Sequence, residues 1–251
     1  MKMWDNFFEK FWSVITKFRM QLLSGLGNTL IIAVSAFIIG VFLGTIIAII
    51  KVVPKYNKWY LKVLDRICDV YVTVVRGTPV VVQLLLFYFG LLANAAFAQT
   101  SQGTLIIAIL VFGLNSAAYQ SEYIRGALIS VDKGQLEAGR ALGLSYGTTM
   151  SRIIIPQAAK NIVPTMGNEL ITLLKDTSVA GYITVIDVTF AVQRIVSRNY
   201  MALVDYMVLA AIYLIIVLIV TLLLRLLEKY LHRNDNGIKV HSRKIKSRIS
   251  K

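Results

Sequence analysis

The chain has 251 residues, 57% of them hydrophobic, with 27 Lys and Arg against 13 Asp and Glu, a formal net charge of +14 and a mean hydropathy of +0.67. Such a composition leaves too few polar side chains to cover a globule, which excludes an ordinary soluble domain. A single cysteine, Cys68, excludes an internal disulfide and a multi-cysteine metal site, and the two histidines, His232 and His241, both fall in a basic tail and give no basis for a buried metal centre.

Over residues 1–21, Trp4, Phe7, Phe8, Phe11, Trp12, Ile15 and Phe18 recur at helical spacing with charges between them. No uninterrupted apolar core precedes Leu22, so this is not a cleavable signal peptide. The pattern predicts an amphipathic helix in the membrane interface that anchors the entry to the first span. Leu22–Ile50 is a charge-free apolar run long enough to cross a bilayer. Within it Ala36, Gly40, Gly44 and Ala48 form a small-residue face that lets another helix approach closely, from the same subunit or from a second one. Lys51, Lys55, Lys58, Lys62 and Arg66 then make up a basic connection.

A second span is predicted over Gly77–Gln102, opening at Arg76-Gly77-Thr78-Pro79. Pro79 removes a backbone donor and biases Thr78 away from helix, so a broken helix is expected. Non-helical backbone at membrane depth is tolerated only where it is buried or lines a watery cavity, which makes this break a candidate pathway wall. The polar cluster Gln99, Thr100, Ser101, Gln102 and Gly103 reads as a turn before a third span, Gly103–Ser121. Asn115, Tyr119 and Glu122 share one face of that span. A polar helix–turn–helix stretch follows over about 127–156, too hydrophilic to span and placed between spans, as a docking element would be. The fourth span, Asn161–Ile186, carries Thr165, Glu169, Thr172 and Asp176 on one face, and the fifth is Tyr206–Leu224.

A charge near the bilayer centre costs about 2.5–3.5 kcal/mol even on a lenient scale. Arg76, Glu122, Glu169, Lys175 and Asp176 therefore either meet a transported solute or pair with one another to hold the bundle. Glu169 and Asp176 are separated by roughly 10 Å along a helix, which suits a cavity wall better than an acid–base pair. Basic residues concentrate after the first span, in the 127–156 region and in the tail from Arg225 onward, whereas the 187–205 connection has only Arg194 and Arg198. With five spans, the positive-inside rule puts the N-terminus outside and the C-terminus in the cytoplasm, although Lys2, Lys10, Lys17 and Arg19 run against it. The net charge is thus a topology signal. The tail, residues 231–251, suits anionic headgroups and lacks the interleaved aromatic platform of a nucleic-acid binder.

The stretch Leu136–Pro156 resembles the cytoplasmic coupling loop of bacterial ABC-importer permeases, through Glu137, Ala138, Gly139, Gly143, Ile153, Ile155 and Pro156; Gly139 and Ile155 stand where that pattern has Ala and Leu. The segments Arg76–Pro79, Ala118–Gln135 and Lys175–Ser178 narrow the resemblance to permeases of polar amino acid importers, the histidine, glutamine, glutamate, arginine and cystine group. The resemblance covers about 25–225. It implies an all-α integral membrane protein of the type I importer permease fold, with five transmembrane helices over residues 22–230 in a bacterial cytoplasmic membrane. It also implies a second permease copy or a paralogue, an extracellular or periplasmic amino-acid-binding protein, and cytoplasmic ABC ATPase subunits that hold ATP and Mg. Gln135, Glu137, Ala138, Gly139, Gly143 and Pro156 would couple to the ATPase, while Arg76, Thr78, Pro79, Asn115, Tyr119, Glu122, Glu169, Thr172 and Asp176 would line the substrate pathway. The chain itself contains no Gly-Lys dipeptide, hence no phosphate-binding P-loop. It is expected to be a transport subunit without catalytic residues, metal or cofactor of its own. The competing reading is a secondary active transporter, whose usual internal repeats the two halves do not display.

Overall fold

The computed structural model describes residues 6–53 and 58–232. Lys2, Trp4, Lys55 and the basic tail beyond His232 lie outside those residues. Within them the regular structure is entirely helical: α1 (Phe7–Lys17), α2 (Arg19–Val52), α3 (Trp59–Gly77), α4 (Val80–Leu85, widening into a π-type turn over Leu86–Leu91), a 3-10 turn (Ala96–Gln99), α5 (Ser101–Ile129), α6 (Lys133–Ala141), α7 (Tyr146–Thr149), a second π-type turn (Met150–Ile154), α8 (Ile155–Asp176), a 3-10 stretch (Thr177–Ile183), α9 (Val188–Asn199) and α10 (Ala202–His232). Helices α2, α5 and α10 are long and apolar enough to cross a membrane by themselves. Two further pairs pass the same test as broken spans, α3 with α4 bent by 105° and the stretch Tyr146–Ile183 with α9 bent by 54°, so the described residues hold three such spans, or up to five. This is an all-α integral membrane protein.

The centre of the bundle is the α2–α5 crossing. The small stripe of α2 is buried along its length, and it packs on Ser116, Ala117, Gln120 and Ser121 of α5 in the same chain. A Cβ at Gly40 would stand 2.7 Å from Ser116 Oγ and 2.5 Å from Gln120 Nε2, and one at Gly44 would stand 3.0 Å from the backbone of Ala117 and Ser121. The stripe is therefore an intrachain contact, in which missing side chains let two backbones and the polar groups of α5 come together. The opposite face of α2 leaves Ile31, Val34, Ile38 and Phe42 exposed, as does much of α10 with Leu218, Leu222 and Leu226. Apolar surface of that extent suits hydrocarbon and not water.

The structure corrects several boundaries. The second span does not begin at Gly77: α3 already runs Trp59–Gly77, so Lys62 and Arg66 belong to a helix and not to a connection. Hydropathy averaging misses α3 because Lys62, Asp65, Arg66 and Asp69 occupy one side while Val63, Ile67, Val70 and Val74 lie exposed on the other. Ser101, Gln102 and Gly103, expected as a turn, form the first turn of α5, with Thr100 Oγ1 accepting from Gly103 N at 3.0 Å. Helix α5 continues eight residues past Ser121, and the fourth span begins at Ile155 and leaves α-geometry at Asp176.

Helix α1 covers 7–17 of the expected 1–21, and Val14 is buried against Leu22, Ile195 and Val208, which docks this helix on α9 and α10, while Phe8 and Trp12 stay exposed. Between Ile183 and α9 the chain is tied to α2. Asn28 Nδ2 donates to Ile186 O at 2.9 Å, Val188 N donates to Thr29 Oγ1 at 3.1 Å, and Asp187 caps α9 by accepting from Thr189 N and Phe190 N.

A charged polar cavity and an exposed helical loop

The helix break expected at Gly77–Pro79 is present. Thr78 and Pro79 are extended between α3 and α4, and the 105° bend turns α4 away from the α3 axis. Gln83 holds this corner by donating from Nε2 to Val75 O (2.8 Å), Thr78 O (3.1 Å) and Thr78 Oγ1 (2.9 Å), and its Oε1 accepts from Asn115 Nδ2 at 3.1 Å. Two of the carbonyls at the break, those of Val75 and Thr78, are thus satisfied within the protein. Sequence reasoning did not single out Gln83; its only signal was a lone amide four residues after a helix-breaking proline.

The corner walls a cavity of about 420 Å³. Arg76, Thr78 and Pro79 contribute from one side, Asn115, Tyr119 and Tyr123 from α5, and Glu169, Thr172 and Asp176 from α8. The Arg76 guanidinium lies over the Tyr119 ring, 5.2 Å from its centroid, a cation–π contact that orients a charge without neutralising it. Glu169 is 6% exposed, and its Oε1 accepts from Ser116 Oγ at 2.9 Å. Ser116 in turn accepts from Gln120 Nε2 at 2.8 Å, and the same nitrogen reaches Phe37 O of α2 at 3.3 Å. A polar chain therefore runs from the α2 backbone through α5 to the carboxylate at the cavity wall, and it crosses at Gly40. Among the described residues no ion pair closes Arg76, Glu169 or Asp176.

Glu122 is the one predicted pathway residue that the structure puts elsewhere. It accepts from Lys51 Nζ at 2.6 Å and pairs with Arg125 Nη2 at 2.7 Å, while Lys51 also meets Asp69 at 3.1 Å. The cluster binds α2, α3 and α5 together at the end of the bundle that carries α6. The cause is helical phase: Asn115, Tyr119 and Tyr123 step by four residues along the cavity face, and Glu122 falls to one side of that line.

The predicted coupling residues gather at the same end. Asp132 caps α6 by accepting from Gly134 N at 2.8 Å, and Ser145 caps α7 by accepting from Thr148 N at 3.2 Å. Gly143, between them, has φ +76°, a left-handed conformation that side-chain-bearing residues adopt only under strain. Gln135, Glu137 and Ala138 are exposed on α6, whereas Gly139 is buried where a Cβ would stand 2.6 Å from the side chain of Thr149. The Gly139 that departs from the Ala of the permease pattern is thus the point where α6 rests on the α7 segment. Pro156 is exposed in the first turn of α8, where its missing N–H costs little.

Spanning helices around a charged cavity, with a polar helical loop exposed at one end, define a membrane transport component. Residues 40–234 match the family model described as the binding-protein-dependent transport system inner membrane component, and the chain belongs to that family. It is 39% identical over 214 residues to the arginine transport system permease protein ArtQ of Bacillus subtilis, covering 85% of this chain and 94% of that one. It is 34% identical over 232 residues to the L-cystine transport system permease protein TcyB of the same organism, with 92% of each chain covered. The glutamine transport system permease protein GlnP of Escherichia coli K12 is 35% identical, over 87% of this chain and 96% of its own. Among solved structures, an amino acid ABC transporter crystallised with histidines matches with a TM-score of 0.76 and 36% identity, covering 86% of this chain and 96% of that one. The inward-facing MetNI methionine ABC transporter shares the fold, with a TM-score of 0.69 at 19% identity over 85% of this chain and 97% of its own.

Proposed function

We propose that this chain is the transmembrane subunit of an ATP-driven importer of polar amino acids, and that the cavity between the α3–α4 corner, α5 and α8 is its translocation site. The observation that carries the reading is the coexistence, in one cavity of about 420 Å³, of the Arg76 guanidinium, stacked on Tyr119, with the carboxylates of Glu169 and Asp176, none of the three closed by an ion pair among the described residues. A free amino acid carries both opposite charges, and a cavity with fixed groups of each sign can receive carboxylate and ammonium together. The names of the relatives support the same substrate class. Thr78, Asn115, Tyr119 and Thr172 supply further hydrogen-bonding groups, and Pro79 maintains the non-helical corner that admits them.

In this reading α6 docks on a cytoplasmic ABC ATPase that holds ATP and Mg, with Gln135, Glu137 and Ala138 at the contact and Gly139, Gly143 and Pro156 shaping the loop behind it. Closure of the ATPase pair moves two such loops together and turns the cavity outward, where an extracellular or periplasmic binding protein delivers substrate. A second permease subunit, identical or paralogous, completes the pathway. Since α6 then lies in the cytoplasm, α2, α5 and α10 run inward, which puts α1 outside and the C-terminus inside the bacterial cytoplasmic membrane.

Vesicles containing the chain with its ATPase and binding protein are expected to accumulate a labelled polar amino acid in an ATP-dependent manner. Glu137→Lys is expected to abolish that uptake while the subunit inserts and the ATPase alone remains active. Uptake that persists without ATP overturns the mechanism, and ATP-driven complexes that take up no amino acid overturn the substrate class.

A further inference from the structure

At the end of the bundle opposite α6, a second cavity of about 310 Å³ lies between the start of α2 and α9, lined by Met20, Gln21, Ser24, Ile186 and the pair Arg194 and Arg198. The two arginines are four residues apart, so they project from one face of α9. Both are exposed, and neither forms an ion pair among the described residues. They are also the two basic residues of a connection otherwise free of positive charge, on the side of the chain where the charge bias disfavours them.

The level of this cavity in a membrane follows from α2. That helix has 34 residues, about 51 Å at 1.5 Å per residue, against a hydrocarbon core about 30 Å thick. Met20 to Ser24 then lie about 17–23 Å from its midpoint, at the depth of phospholipid headgroups and beyond the acyl region. Exposed Phe8 and Trp12 on α1 suit the same boundary. From the cavity toward the bilayer centre, Leu23, Ile31, Val34 and Ile38 leave an exposed apolar track on α2.

We infer that this cavity is a binding site for the phosphodiester headgroup of an anionic phospholipid, held by Arg194 and Arg198 with hydrogen bonds from Gln21 and Ser24, its acyl chains lying along the α2 track. Guanidinium groups match phosphate oxygens in geometry as well as charge. A soluble anion has no use for the apolar track, which is the feature that favours a lipid.

The test uses the full-length chain in its complex, in nanodiscs of phosphatidylcholine with a trace of phosphatidylglycerol bearing a photoreactive group high on the acyl chain, and the labelled peptides are mapped by mass spectrometry. Adducts are expected to concentrate in residues 20–38 and 186–198 and to fall as ionic strength rises. Arg194→Gln with Arg198→Gln is expected to lower labelling about tenfold or more, while Arg194→Lys with Arg198→Lys keeps most of it; the salt series on the native chain stands if the Gln variant fails to fold. Equal labelling by a phosphatidylcholine probe, labelling indifferent to salt, or unchanged labelling in a folded Gln variant overturns the inference. Loss of labelling on exchanging chloride for inorganic phosphate at constant ionic strength reassigns the site to a free anion, and crosslinks from this cavity to a second subunit reassign it to a protein interface; either result sinks the lipid site.

Discussion

Two charged regions of this molecule draw on the same residue types and end in opposite states. Around Glu122, charges arrive from three helices and close on each other, Lys51 from α2, Asp69 from α3 and Arg125 from α5 itself. Around Glu169, the neighbours are a hydroxyl, a tyrosine and open space, and the nearest guanidinium, Arg76, is occupied with a ring face. Charge inside a membrane protein is therefore not functional by residue type. A carboxylate answered by cations on neighbouring helices ties the bundle together, and one left facing a cavity is available to a solute.

The comparison breaks most visibly at Glu122. Glu122→Leu leaves Lys51 and Arg125 without their shared acceptor, so that Lys51 keeps only the more exposed Asp69, and is expected to destabilise the chain by about 3 kcal/mol, the low end of the range for breaking a buried ion pair. The measurement is thermal or denaturant unfolding in detergent, and the double variant Lys51→Leu with Glu122→Leu should recover much of the loss. A near-neutral single variant would show that water already screens the cluster.

Gly40→Val comes next in size. Its first side-chain carbon meets Ser116 and Gln120 within 2.7 Å, so it is expected to cost about 1–3 kcal/mol by forcing α2 and α5 apart. Transport should suffer beyond the stability loss, because the same contact carries the polar chain to Glu169; a parallel fall in folded protein and in transport, with unchanged apparent affinity in the folded fraction, would limit the stripe to packing.

The smallest effect on stability is expected at Glu169. Glu169→Gln preserves shape and leaves an amide oxygen to accept from Ser116, so unfolding should shift by less than about 1 kcal/mol. Uptake affinity should nevertheless fall tenfold or more. Unchanged affinity for every amino acid would remove Glu169 from the translocation site and erase the contrast between the two regions.

Much of this protein was determined by local sequence. The run Leu22–Ile50 had to be helical and membrane-embedded because nothing in it competes with backbone hydrogen bonding and water offers its side chains nothing. Pro79 broke its helix and Gly143 took the left-handed turn for reasons confined to each residue's own covalent geometry. The cavity face of α8 was likewise legible, since Glu169, Thr172 and Asp176 sit at helical spacing in an apolar span. What sequence left open or misplaced were relations between helices. It did not decide whether the small stripe of α2 met its own chain, it put Glu122 on the cavity face that Tyr123 takes, and it put Lys62 and Arg66 in a connection instead of on the charged side of α3; all three turned on rotational phase and on which neighbour lay opposite. A step of one residue turns a helical side chain by about 100°, so small differences in packing decide between partner, cavity and lipid. Those choices belong to the tertiary structure, where charges separated by some seventy residues in the chain, such as Lys51 and Glu122, come within a hydrogen bond of each other.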